Sequence, residues 1–139
     1  MDVFTIGFTK KSAAELFGIL RRNGICRLID VRLNNVSQLA GFTKRDDLAY
    51  FLREICDAEY VHEPLLAPTQ EMLDAYKKEK GSWQDYATKF LVLMAEPRIE
   101  EKIDPALFAE PAVLLCSEPT ADQCHRRLVV EYLQTKWDD

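Results

Sequence analysis

Cysteine is scarce in this sequence. Four residues, Cys26, Cys56, Cys116 and Cys124, are scattered over 139 positions, too few for the disulfide framework of a small secreted domain, so free thiols are expected. No apolar run approaches the roughly 18 residues a membrane span requires. Asp2 ahead of a strand pattern is no signal peptide, and a cytoplasmic location with no membrane partner is the expectation. Positive charge is also in deficit. Lys plus Arg number 18 against 23 for Asp plus Glu, a net charge of -5, so whole-molecule attraction to nucleic acid is not indicated. There is no internal repeat, low-complexity tract or interdomain linker. What remains, 47% hydrophobic and 29% charged residues, describes a single domain over residues 1–139, long enough to bury a continuous core. Oligomeric state leaves no mark in the composition.

The chain alternates strand and helix patterns. Val3 to Ile6 reads as a first strand ended by Gly7. Ser12 with Glu15 is a capping box opening a helix with Leu16, Ile19 and Leu20 on its apolar face, and Gly24 is a C-cap residue free to take positive φ. A second strand, Leu28 and Ile29, runs out at Asp30-Val31-Arg32, completing a βαβ unit. The loop from Leu33 to Phe42 is rich in amides and aperiodic, as binding loops often are. Thr43 with Asp46 is expected to cap the next helix, whose stripe is Leu48, Phe51, Leu52, Ile55 and Cys56. Cys56 and Cys26 read as buried small hydrophobes. Tyr60 to His62 is a third strand. Pro68 and Thr69 open a helix with Met72, Leu73 and Tyr76, ending at Gly81. Ser82 with Asp85 caps another, with Trp83, Tyr86, Phe90, Leu91 and Met94 as its apolar positions. Asp104-Pro105 opens a short turn before the last strand.

The densest stretch is Val113 to Arg127, Val-Leu-Leu-Cys-Ser-Glu-Pro-Thr-Ala-Asp-Gln-Cys-His-Arg-Arg. Ala112 to Leu115 is unbroken and apolar, as a strand covered on both faces should be. Pro119 keeps Glu118 extended, and Thr120 with Gln123 forms a capping box. Cys124 and His125 then fall in or near the first turn of a helix with the stripe Leu128, Val129, Tyr132 and Leu133, and with Arg127 and Glu131 as an exposed pair.

The expected fold is therefore α/β: a single doubly wound, Rossmann-like domain with a mainly parallel four-stranded sheet in the order 3-2-1-4, strand 1 central. In such sheets ligands bind beyond the carboxyl ends of the strands. Gly7, Asp30, Arg32, Cys116 and Glu118 fall there, with Cys124, His125 and Arg126 at the helix start beside them. A buried unpaired charge is costly, so Asp30 and Arg32 must pair or face a ligand.

Thr5-Ile6-Gly7, Asp30-Val31-Arg32 with Ser37 and Phe42, Leu115-Cys116-Ser117-Glu118 and Cys124-His125-Arg126 resemble, in order and spacing over nearly the whole chain, the bacterial and archaeal family known as domain of unknown function 488. Cys-x-Glu followed by Cys-His-Arg is the specific block. Phe8-Thr9 stands where many members have His-Ser, Asn35 where many have Pro, and Ala67-Pro68 where a glycine pair is frequent, so a role for that first-loop His is not carried over. The resemblance implies a small cytosolic α/β domain.

The leading chemistry is a pocket for an anionic, phosphate-bearing or nucleotide-like small molecule. Arg32 and Arg126 would clamp the anion, with Gly7, Asn34 and Ser37 as further ligand contacts. Glu118, His125 and Asp30 are the acid, base or ribose-binding candidates. On this reading Arg126 is removable at little cost in stability. The bland alternative is that Asp30 pairs with Arg32 or Arg126 and ties loops together. A second chemistry is thiol catalysis: a thiol at Cys116 near a helix start and two arginines would be acidified, with Cys124 a redox partner and His125 an assistant. The sixth residue after Cys116 is Asp122, which excludes the phosphatase pattern of Cys, five residues and Arg. A metal site from Cys116, Cys124, His125 and His62 fits no common zinc knuckle, since adjacent Cys and His project about 100° apart on a helix, so neither metal nor cofactor is expected. A fourth reading, of a different class, is a nucleic-acid module with Lys10, Lys11, Arg21, Arg22, Lys44 and Arg45 as a basic rim.

Overall fold

In a computed structural model, described over residues 3–8, 10–33, 41–116 and 124–137, four parallel strands form one sheet. β1 is Val3–Gly7, β2 Arg27–Asp30, β3 Glu59–His62 and β4 Ala112–Cys116. The order is β1-β4-β2-β3. Counted from β3 this is 3-2-4-1 where 3-2-1-4 was expected: the α/β class holds, but the last two strands are exchanged. The reason lies in burial. All five residues of β4 are buried, whereas β1 carries a 41% exposed Phe4, so the uniformly apolar strand takes the interior place and the first strand takes the edge.

The sheet is covered on both faces. Val113, Leu115 and Leu28 face one layer with Leu16, Phe17 and Leu20 of α1 (Ala13–Arg22) and Leu48 of α2 (Arg45–Phe51). Ala112, Leu114, Cys116, Ile29 and Val31 face the other, with Phe90 and Met94 of α4 (Trp83–Ala95), Ile99 of α5 (Ile99–Lys102), and Leu128, Val129 and Leu133 of α6 (His125–Trp137). Met72, Leu73 and Tyr76 of α3 (Gln70–Lys77) pack at the border of this second layer. Among the described residues no helix is long and apolar enough to cross a membrane.

Local signals explain most element ends. Ser12 and Glu15 form the reciprocal capping box at α1; Thr69 caps α3 and Ser82 caps α4 through their side chains. Asp104 caps a short turn that has Pro105 at its start. Gly24 takes φ of 62°, its N–H bonding the Arg21 carbonyl while the Ile25 N–H reaches the Leu20 carbonyl. That is the paired closure of a Schellman motif, with Leu20 and Ile25 both buried behind it.

Four further expectations are corrected. Thr43 does not cap α2: the N-cap is Lys44, without a side-chain bond, and Thr43 sits buried in a preceding 3-10 turn, Gly41–Thr43. The stripe beyond α2 is not continuous, because Leu52–Cys56 is wound as a π-turn, whose extra residue per turn rotates Ile55 outward to 40% exposure. Leu91 on α4 is likewise exposed. Cys26 is exposed and Cys56 only half-buried, since Cys26 lies just past the Gly24 turn, ahead of β2. The Thr120–Gln123 capping box falls outside the described residues.

A Cβ on Gly24 meets no atom within 4 Å, so Gly24→Ala tests backbone conformation alone. The expected loss, about 1–2 kcal/mol for a left-handed non-glycine residue, is checked by urea unfolding, with an unchanged slope.

Candidate functional site

The carboxyl edge of the sheet carries two buried polar clusters. The first forms at the end of β2. Asp30 is fully buried and Arg32 is 5% exposed. Arg32 Nε donates to Asp30 Oδ1 and its NH2 to Oδ2, both at 2.8 Å, while NH2 also donates to the Thr43 carbonyl at 2.6 Å. The Arg32 N–H reaches Oδ1 at 3.1 Å and the Tyr60 hydroxyl donates to Oδ2 at 2.7 Å. Asp30 thus accepts four hydrogen bonds, so neither of its buried oxygens is left without a donor. The guanidinium lies over the Phe8 ring, 5.4 Å from its centroid, and His62 Nε2 stands 3.3 Å from the Arg32 carbonyl.

The second cluster forms where β4 ends and α6 begins. Cys116, Cys124, His125 and Arg126 are each at most 7% exposed. The Cys116 and Cys124 sulfur atoms are in contact, and Arg126 NH1 donates to the Cys116 sulfur at 2.7 Å. His125 Nε2 lies 2.7 Å from the Val31 carbonyl. A carbonyl only accepts, so Nε2 carries the proton and Nδ1, 3.8 Å from the Cys124 sulfur, is the lone-pair nitrogen. Burial, against the pull of the Val31 hydrogen bond, lowers the imidazole pKa from 6.5 to about 4, and Arg126 lowers it further. His125 is therefore neutral at physiological pH.

The structure brings most of the sequence-designated residues together and also divides them. His125 joins β2 to α6 directly, and Gly7 pairs in register with Cys116. Strand side chains alternate, however. Asp30 follows Leu28 toward α1 and α2, whereas Cys116 follows Leu114 toward α4 and α6. The Asp30–Arg32 and Cys116–Arg126 pairs consequently lie on opposite faces of one edge. Glu118, Asn34 and Ser37 fall outside the described residues.

The basic residues do not make one rim. α1 must run back to the amino edge to feed a parallel strand, so Arg21 and Arg22 in its last turn stand opposite Lys10, Lys44 and Arg45. Among the described residues no three His, Cys, Asp or Glu groups gather as a metal site. An apolar groove of about 380 Å³ lies between α1 and α2, lined by Ala14, Phe17, Phe42 and Ile55 among others, away from both clusters.

Sequence reasoning missed Tyr60, the Thr43 carbonyl and the Val31 carbonyl. Tyr60 becomes legible only through the β2–β3 register, which sets it opposite Leu28, one side-chain repeat before Asp30. The two carbonyls carry no sequence signal.

A family model described as domain of unknown function DUF488 matches residues 12–133. No curated protein and no solved structure matches the chain.

Two outcomes follow from burial. Arg126, one of the largest fully buried side chains, is not removable at little cost. Arg126→Ala is expected to lose about 2–4 kcal/mol by chemical denaturation, as for other large buried side chains. His125, with its folded pKa below the unfolded value, binds fewer protons folded than unfolded between pH 6.5 and about 4. Stability is then complete above pH 6.5 and falls as pH drops through that window, by up to about 3 kcal/mol. In His125→Gln, denaturant titrations over the same range should lack that component.

Proposed function

The chain belongs to the family described as domain of unknown function DUF488, and for this member we propose a site at the carboxyl edge that binds an anionic, phosphate-bearing or nucleotide-like ligand. The observation that carries the reading is the 2.7 Å bond between His125 Nε2 and the Val31 carbonyl. It holds the start of α6, which carries Arg126, against the end of β2, beyond which Arg32 lies, so both guanidinium groups belong to one sheet edge, on its two faces. Asp30 fixes Arg32 through Nε and NH2, and NH1 takes no partner among the described residues. A fixed guanidinium with a remaining donor face suits an anion reaching over the sheet edge, because its rotamer entropy is already lost. The first turn of the thirteen-residue α6 adds N–H groups and the positive end of the helix dipole at the same edge.

Within this reading Asp30 orients Arg32, its oxygens being occupied, and His125 positions the helix as a neutral donor. The work of these groups is recognition. Acid or base catalysis would fall to Glu118.

The test is thermal unfolding with inorganic phosphate, nucleoside monophosphates and nucleoside triphosphates at constant ionic strength. One class should raise the midpoint by several degrees at a hundredfold excess over its Kd, equivalent to about 2.7 kcal/mol. Arg32→Lys, which keeps charge but loses the planar fork, should weaken that ligand at least tenfold, whereas Arg127→Ala on the outer face of α6 should not. The absence of any shift in the native chain overturns the proposal. Tight oligonucleotide binding with a steep salt dependence would replace it with the nucleic-acid reading.

A further inference from the structure

We infer that Cys116 and Cys124 form a reversible dithiol–disulfide couple, with Cys116 as the nucleophile and Cys124 as the resolving thiol, oxidised by a small hydroperoxide such as hydrogen peroxide. The inference goes beyond the anion site: it shares Arg126 with that site, but the thiols lie on the opposite face of the sheet from the Asp30–Arg32 pair, and its test reads thiol oxidation with no anion present.

Three observations carry it. The sulfurs of residues eight apart in sequence are in contact, one at the end of β4 and the other immediately before α6. Their surroundings differ: Arg126 NH1 lies 2.7 Å from the Cys116 sulfur, and an adjacent guanidinium favours the thiolate. Cys124 faces the lone-pair nitrogen of a neutral imidazole, His125 Nδ1 at 3.8 Å, a hydrogen-bond acceptor that suits a protonated thiol. One sulfur is thus prepared to attack and the other to wait. Finally, Cys116 and Cys124 are 2% and 4% exposed, which favours a small uncharged oxidant over a bulky one.

The chemistry balances in two steps. The Cys116 thiolate attacks one oxygen of the peroxide; the S–O bond forms, the O–O bond breaks, and the departing hydroxide takes a proton to become water. The Cys124 sulfur then attacks the sulfenic sulfur of Cys116. The S–S bond forms, the S–O bond breaks, and the released hydroxide leaves as a second water with the Cys124 proton. Two thiols have supplied two electrons to one peroxide. A dithiol reductant returns two electrons and two protons by thiol–disulfide exchange.

The test uses the whole reduced chain. After stoichiometric hydrogen peroxide, the protein is unfolded and labelled with N-ethylmaleimide, and intact mass and peptide maps are read. The expected result is two labels, on Cys26 and Cys56, with a Cys116–Cys124 link that dithiothreitol reverses. Cys124→Ser should stop at a sulfenic acid on Cys116, trapped by dimedone. Cys116→Ser should leave Cys124 unmodified. Should either variant fail to fold, the pH profile of iodoacetamide alkylation in the native chain decides, with Cys116 reacting at lower pH than Cys124. Four labels after peroxide, a link involving Cys26 or Cys56, equal alkylation profiles for the two thiols, or oxidation by glutathione disulfide but not by peroxide would each overturn the inference.

Discussion

A strand with a neighbour on either side and a helical layer on either face has no access to water except at its ends. β4 is in that position, and everything at the candidate site follows from it. Its interior must be apolar, and Ala112 to Leu115 comply. Its chemistry can begin only where it stops, at Cys116. Cys116 closes the strand on the α6 side, where Cys124 and Arg126 at the start of α6 meet it. The alternation of side chains also keeps Asp30 on the other face, so one edge carries two separate polar centres instead of a single mixed one.

The two centres differ in electrostatics. Asp30 and Arg32 neutralise each other in a buried pair whose every carboxylate oxygen has partners. Breaking one member of such a pair strands the other charge at a cost of about 3–5 kcal/mol, which makes the pair a rigid corner joining β2, β3 and the turn before α2. In the second centre a guanidinium meets sulfur, and sulfur has two accessible states. The first centre is closed by mutual neutralisation, whereas the second sets a cation against sulfur. A neutral His125 lies beside both without adding a third charge, as its burial dictates.

Capping residues were the most dependable guide to the elements, because a side chain two or three positions from its target satisfies a helix start without help from the rest of the fold. Ser12, Thr69, Ser82 and Asp104 behave that way. Thr43 does not: its residue is buried and its carbonyl receives Arg32, a partner eleven positions back that no local rule anticipates. The apolar stripe after α2 failed for a related reason, since a single π-turn shifts every later position by about one residue per turn. Cys26 shows the limit of reasoning from residue type, for its exposure is set by the glycine turn two positions before it.

By itself the sequence determined the alternation of strands and helices, the buried character of β4, the family and the clustering of charged and thiol groups near strand ends, because these rest on periodicity and spacing within short windows. Tertiary structure decided the order of the strands, the face on which each polar group stands, and the identity of every partner. Strand order depends on which of two apolar strands is better excluded from water, a comparison between segments more than a hundred residues apart. The pairing of Asp30 with Arg32 and Tyr60, and of Cys116 with Cys124 and Arg126, depends on register, which exists only once the sheet has formed.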